Sequence, residues 1–70
     1  MTKSPEYFSK TIEKGMRILE AFDQNNSTIS LKEISKKVNI NLTSTYRFVN
    51  TFERLGYLRR SIHKNLLKLG

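Results

Sequence analysis

Three side chains suited to reading an anionic, hydrogen-bonding surface stand close together in this chain: Thr43, Ser44 and Arg47. An arginine fork donates bidentately to a phosphate or to O6 and N7 of guanine, and hydroxyls at a helix start suit a phosphate oxygen. To act together, the three must project from one side of a helix. The spacing predicts that helix from Leu42 to about Leu55. At 3.6 residues per turn, Thr45, Phe48, Val49, Phe52 and Leu55 share one face. Thr43, Ser44, Arg47, Asn50, Thr51 and Arg54 share the other. Asn41 is a favourable N-cap, and Gly56 can adopt the positive φ that ends a helix. Tyr46 borders the two faces, with a ring suited to packing and a hydroxyl suited to a phosphate.

The charge is distributed to match. The chain of 70 residues carries a formal net charge of +7. Up to Leu31, Lys3, Lys10, Lys14 and Arg17 balance Glu6, Glu13, Glu20 and Asp23. From Lys32 onward, nine basic residues face only Glu33 and Glu53, so the whole excess sits in the second half. A basic half joined to a neutral half points to one polyanion-facing surface and one surface for packing or partners. A Lys-rich solvated domain is the plainer reading of charge alone, and position in the fold decides between them.

The elements that position these groups follow from periodicity. A first helix is expected from about Thr11 to Asp23, with Ile12, Met16, Leu19 and Phe22 on its core stripe and Ile18 widening it. Gln24, Asn25, Asn26 and Ser27 favour a turn. Thr28-Ile29-Ser30 forms a brief extended segment able to pair with a later hairpin. Ser30 followed by Glu33 has the spacing of a capping box, so a second helix starts at Leu31. It buries Leu31, Ile34 and Val38 and leaves Lys32, Lys36 and Lys37 outside. Asn39-Ile40-Asn41 is the turn into the third helix, with Ile40 pinned to the core. After Gly56, Tyr57-Leu58-Arg59-Arg60 alternates as a strand does, and Leu67-Lys68-Leu69 alternates again beyond a polar tip at His63-Lys64-Asn65. The expected fold is mainly α with a small β-hairpin: a winged helix-turn-helix of three helices plus a two- or three-stranded wing.

Residues 1–10 read as a flexible or partner-contacting arm and residues 11–70 as the folded domain. In the arm, Tyr7 and Phe8 either cover the end of the small core or meet a second copy of the chain. A core this small also leaves room for stabilisation by a partner.

Composition excludes several other functions. There is no Cys, which removes disulfides, thiolate zinc sites and thiol nucleophiles together. With His63 alone and no clustered carboxylates, neither a metal site nor an acid–base pair is expected, so the chain reads as no enzyme and as needing no cofactor. No apolar run is long enough to span a bilayer, and the N-terminus lacks a signal-peptide core. A cytoplasmic location with no membrane partner is expected.

Taken in order, Lys14-Gly15-Met16-Arg17-Ile18-Leu19-Glu20-Ala21-Phe22, Leu31-Lys32-Glu33-Ile34, Thr43-Ser44-Thr45-Tyr46-Arg47-Phe48-Val49, Leu55-Gly56-Tyr57-Leu58 and Leu67-Lys68-Leu69-Gly70 resemble the N-terminal DNA-binding domain of the IclR family of prokaryotic transcription regulators. The resemblance runs from Thr11 onward and implies a winged helix, operator binding and a homodimer joined through the N-terminal helix. It places the family's base and phosphate contacts on Thr43, Ser44, Tyr46 and Arg47. Leu42 departs from it, standing where the family commonly has a basic or polar residue. Family members continue into a larger effector-binding domain, so no small-molecule effector site is expected within these residues.

The expected DNA-binding set is Lys32, Lys36, Lys37, Thr43, Ser44, Tyr46, Arg47, Asn50 and Arg54, joined by Arg59, Arg60, His63 and Lys64 from the wing. Helix 42–55 enters the major groove and wing 58–69 lies on adjacent backbone or in the minor groove. A protein–protein adaptor built on the same fold is the alternative. RNA binding is weaker, because Tyr46 is the sole candidate stacking ring near the basic face.

Overall fold

In the computed structural model, which describes residues 8–25, 27–61 and 66–70, three helices alternate with three short strands. They are α1 (Lys10–Glu20), β1 (Ile29–Ser30), α2 (Leu31–Val38), α3 (Leu42–Leu55), β2 (Leu58–Arg60) and β3 (Leu66–Leu69). The strands form one antiparallel sheet in the order β1-β3-β2. This is a winged helix, with the expected short segment before α2 paired to β3 through Ile29 and Leu67.

Local chemistry sets most boundaries. The capping box at α2 is complete: Ser30 Oγ accepts from the Glu33 N–H at 3.2 Å, and Glu33 Oε1 accepts from the Ser30 N–H at 3.2 Å. Asn39 then turns left-handed, with φ 58°, and ends α2. Two helices hold the turn that follows, since Ser35 Oγ donates to the Ile40 carbonyl and Thr45 Oγ1 donates to the Asn41 carbonyl at 2.9 Å. Asn41 caps α3 by accepting from the Ser44 N–H at 2.8 Å. Gly56, at φ 90°, ends α3 in a conformation a Cβ would strain.

The first helix differs from expectation at both ends. It begins at Lys10, because Ser9 Oγ caps the Ile12 N–H at 3.2 Å, and it stops at Glu20 rather than Asp23. The N–H groups of Ala21 and Phe22 bond three residues back, to Ile18 and Leu19, tightening the last turn. Phe22 thereby drops into the core.

The core contains Ile18, Ala21 and Phe22 with Ile29, Ile34, Val38, Ile40, Val49, Leu58 and Leu67. Ile18 lies at the centre of the buried side of α1. Ile12 and Met16, expected there, are instead 67% and 49% exposed, so their assignment to the core is corrected. The side of α1 turned to α3 carries Gly15 instead, buried where a Cβ would lie 3.2 Å from Phe52 Cζ and 3.5 Å from Phe48. Leu55, also expected inside, is exposed at the last turn of α3, and Leu31 is only partly buried. Phe8 is exposed at the head of α1, while Tyr7 and the rest of the arm before it lie outside the described residues.

Candidate nucleic-acid interface

Helix α3 is held so that one flank meets α1, the opposite flank meets the wing and the side between them is open. Thr45 and Val49 are fully buried beneath it. Thr45 keeps its hydroxyl satisfied by bonding back to the preceding turn, the usual solution for a buried helical Thr. With those two residues inward, Thr43, Arg47, Asn50 and Arg54 must line up along the opposite side, and all four are exposed. The stripe runs about 16 Å along the axis. No described residue pairs with the guanidinium of Arg47 or Arg54. Glu53, the acid nearest in sequence to Arg47, is engaged elsewhere.

That partner is Arg60. Its Nη2 donates to Glu53 Oε1 at 2.8 Å and its Nε to Oε2 at 3.2 Å, a bidentate pair that ties β2 to the flank of α3. The Glu53 hydrogen bond raises the Arg60 pKa further above its ordinary value, against a smaller lowering from partial burial. Tyr46 lies half-exposed on the same flank and adds to the favourable field at Arg60. The strand register separates the two wing arginines. Arg60 stands opposite Leu67 on the sheet face that packs inward, and Arg59 stands opposite Lys68 on the outer face. They therefore do not form the single basic edge that their adjacency suggests. His63 and Lys64, the expected wing tip, lie outside the described residues.

On α2, Lys32 and Lys36 are exposed one turn apart. Lys37 differs, because its Nζ donates to the Ala21 carbonyl at 3.1 Å, which ties one of its three donors to the fold. Ser44 is half-buried on the α1 flank, where it lines an open groove of about 570 Å³ with Ile12, Gly15, Met16, Arg47 and Phe48. The sequence reading missed this groove and the Glu53–Arg60 pair. The apolar character of Ile12 and Met16 was the available signal for the groove; the ion pair joins different elements and has no local signature. Among the described residues there is no cluster of metal-ligating side chains and no helix long and apolar enough to cross a membrane.

Comparison with known proteins agrees with this architecture. The IclR helix-turn-helix domain model matches residues 11–61. An IclR-family transcriptional regulator from Brucella abortus superposes with a TM-score of 0.88 at 28% identity, over 93% of this chain and 25% of that one. An IclR-family regulator from a Rhodococcus species gives a TM-score of 0.83 at 24% identity, over 100% of this chain and 28% of that one. The Zα domain of Cyprinid herpesvirus 3 ORF112, whose structure describes binding to Z-DNA, shares the fold alone, with a TM-score of 0.75 at 14% identity over 84% of this chain and 95% of that one. No curated protein matches the sequence. This chain spans about a quarter of the length of the IclR regulators it resembles. With most of its length matched by the family model and the winged helix in place, the chain belongs to the IclR helix-turn-helix domain family, the DNA-binding part of transcription regulators.

Proposed function

We propose that this domain binds double-stranded DNA in a sequence-specific manner as a homodimer, with α3 in the major groove and the wing on adjacent backbone. The observation that carries the reading is the stripe Thr43, Arg47, Asn50 and Arg54, exposed and without an ion pair among the described residues on the helix that the fold projects. Arg47 reads a base edge or phosphate, Thr43 and Ser44 meet backbone at the helix start, and Lys32 and Lys36 contact phosphates beside the groove. Dimerisation is supported by Ile12 and Met16, which give α1 a second apolar side that the core does not use. Two-fold symmetry then sets half-sites about one helical turn apart. The reading sets this domain within a longer, cytoplasmic regulator, with the residues before α1 as an arm available to a partner; the greater length of the relatives supports it.

Selection of bound duplexes from a random pool, followed by titration with salt, tests this reading. Affinity for the selected site is expected to fall by roughly a thousandfold or more between about 50 and 200 mM salt if about six or more phosphates are engaged. Failure to enrich any duplex, with binding indifferent to salt, favours the adaptor alternative, for which the exposed α1 side is the supporting feature.

A further inference from the structure

The basic half of the chain carries two acidic residues, and the fold engages both. Glu33 is consumed in the capping box of α2. Glu53 sits on the helix assigned to the major groove, where an unpaired carboxylate would repel phosphate. It is paired instead: Arg60 gives it Nε and one proton of Nη2, with side chains 39% exposed for Arg60 and 25% for Glu53.

This geometry spends one edge of the guanidinium and spares the other. Arg60 retains both protons of Nη1 and the second proton of Nη2, a two-nitrogen edge that matches two phosphate oxygens. A solvent-exposed arginine normally loses side-chain freedom when it binds. Arg60 is already ordered, because the pair fixes it against α3 from a strand of the wing. It also stands apart from Arg59, which the register sends to the opposite sheet face.

Resting on the DNA-binding reading above, we propose that Glu53 is a positioning residue that holds Arg60 with its free edge toward a phosphate flanking the groove occupied by α3. The negative charge at Glu53 thus contributes to binding a polyanion, opposite to its effect through simple electrostatics. That opposition makes the sign of the effect diagnostic.

The test is a double-mutant cycle on the 70-residue chain, using a duplex selected from a random pool and an unselected duplex of equal length. Glu53→Gln is expected to weaken the selected complex roughly three- to tenfold, the range for losing one pre-ordered long side chain. Binding of the unselected duplex is expected to weaken by a similar factor, since a phosphate is presented by every sequence. In an Arg60→Ala background the same substitution is expected to lose its weakening effect entirely. Tighter binding of both duplexes by Glu53→Gln would show a merely repulsive carboxylate and overturn the proposal. So would equal weakening with and without Arg60, which is what general loosening of the fold produces. If the unaltered chain enriches no duplex, the DNA-binding reading itself fails; if it binds but the cycle shows no coupling, only the role of Glu53 is lost.

Discussion

Arg17 and Lys37 cap each other's helices. Arg17, in the last turns of α1, donates from Nη2 to the Val38 carbonyl of α2 at 2.6 Å, and Lys37, in the last turn of α2, donates from Nζ to the Ala21 carbonyl that follows α1 at 3.1 Å. Both helix ends carry carbonyls without intrahelical partners and the negative end of a helix dipole. Each cation therefore satisfies its neighbour's end while its own helix is satisfied in return. A charged hydrogen bond contributes about 1.5–3 kcal/mol when well shielded, and the exposure of both side chains puts these below that range. Arg17→Ala and Lys37→Ala are each expected to cost about 1 kcal/mol in urea unfolding. Losses within experimental error for both would show that water replaces these caps without penalty.

The same contact separates Lys37 from its neighbours in DNA binding. Lys36→Ala is expected to weaken all duplexes alike and to lower the steepness of the salt dependence by about one unit. Lys37→Ala is expected to lower that slope by less, since its ammonium is held at the Ala21 carbonyl and has only part of its donors left for a phosphate. Salt titrations of the two variants against an unselected duplex make the comparison, and equal slopes for both would return Lys37 to the interface.

On α3, Arg47→Ala is expected to lower discrimination between selected and unselected duplexes by about 1–3 kcal/mol. Uniform weakening at every sequence would mean that Arg47 holds a phosphate and reads no base.

The elements that support Arg47 were legible because their signals are local. The capping box at Ser30 and Glu33, the cap at Asn41 and the stop at Gly56 each act within one helical turn, and all three form as expected. The facing of α1 was not legible. Its sequence offers Ile12 and Met16 on one side and Ile18 and Phe22 on another, and periodicity alone cannot say which side the core takes. In the fold the side with Gly15 and Ile18 is the one turned inward, with Gly15 against the rings of α3, a fact of packing between segments distant in sequence. The roles of Lys37 and Arg60 were hidden for the same reason. Each basic residue looks solvated until a carbonyl or carboxylate from another element is brought beside it.

Gly15 makes its own prediction. A Cβ there would press on the Phe52 ring at 3.2 Å, but that ring is only partly buried and borders the open groove, so it has room to yield by a few tenths of an ångström. Replacing a mid-helix glycine with alanine gains up to about 1 kcal/mol of helix preference. Gly15→Ala is therefore expected to be neutral or to stabilise by up to about 1 kcal/mol. Gly15→Leu must push α1 off α3 and is expected to cost about 1–3 kcal/mol. Thermal unfolding of the pair checks both signs, and a stable Gly15→Leu variant would mean that the helices do not approach this closely.

The exposed side of α1 supplies the last prediction. Ile12 and Met16 are one turn apart on a side the core leaves uncovered, and Phe8 stands exposed just before the helix begins. If a second copy covers them, a charge placed there must be buried or must drive the copies apart. Met16→Glu is expected to lower the dimer population at least tenfold in sedimentation equilibrium while changing the unfolding midpoint of the monomer far less, since the residue is half-exposed and lies outside the buried core. Loss of one half-site should follow, so a duplex carrying two sites would be bound with the affinity of a duplex carrying one. A Met16→Glu chain that remains dimeric would remove α1 as the seam. A monomeric unaltered chain that still favours the two-site duplex would show that the copies meet only on DNA.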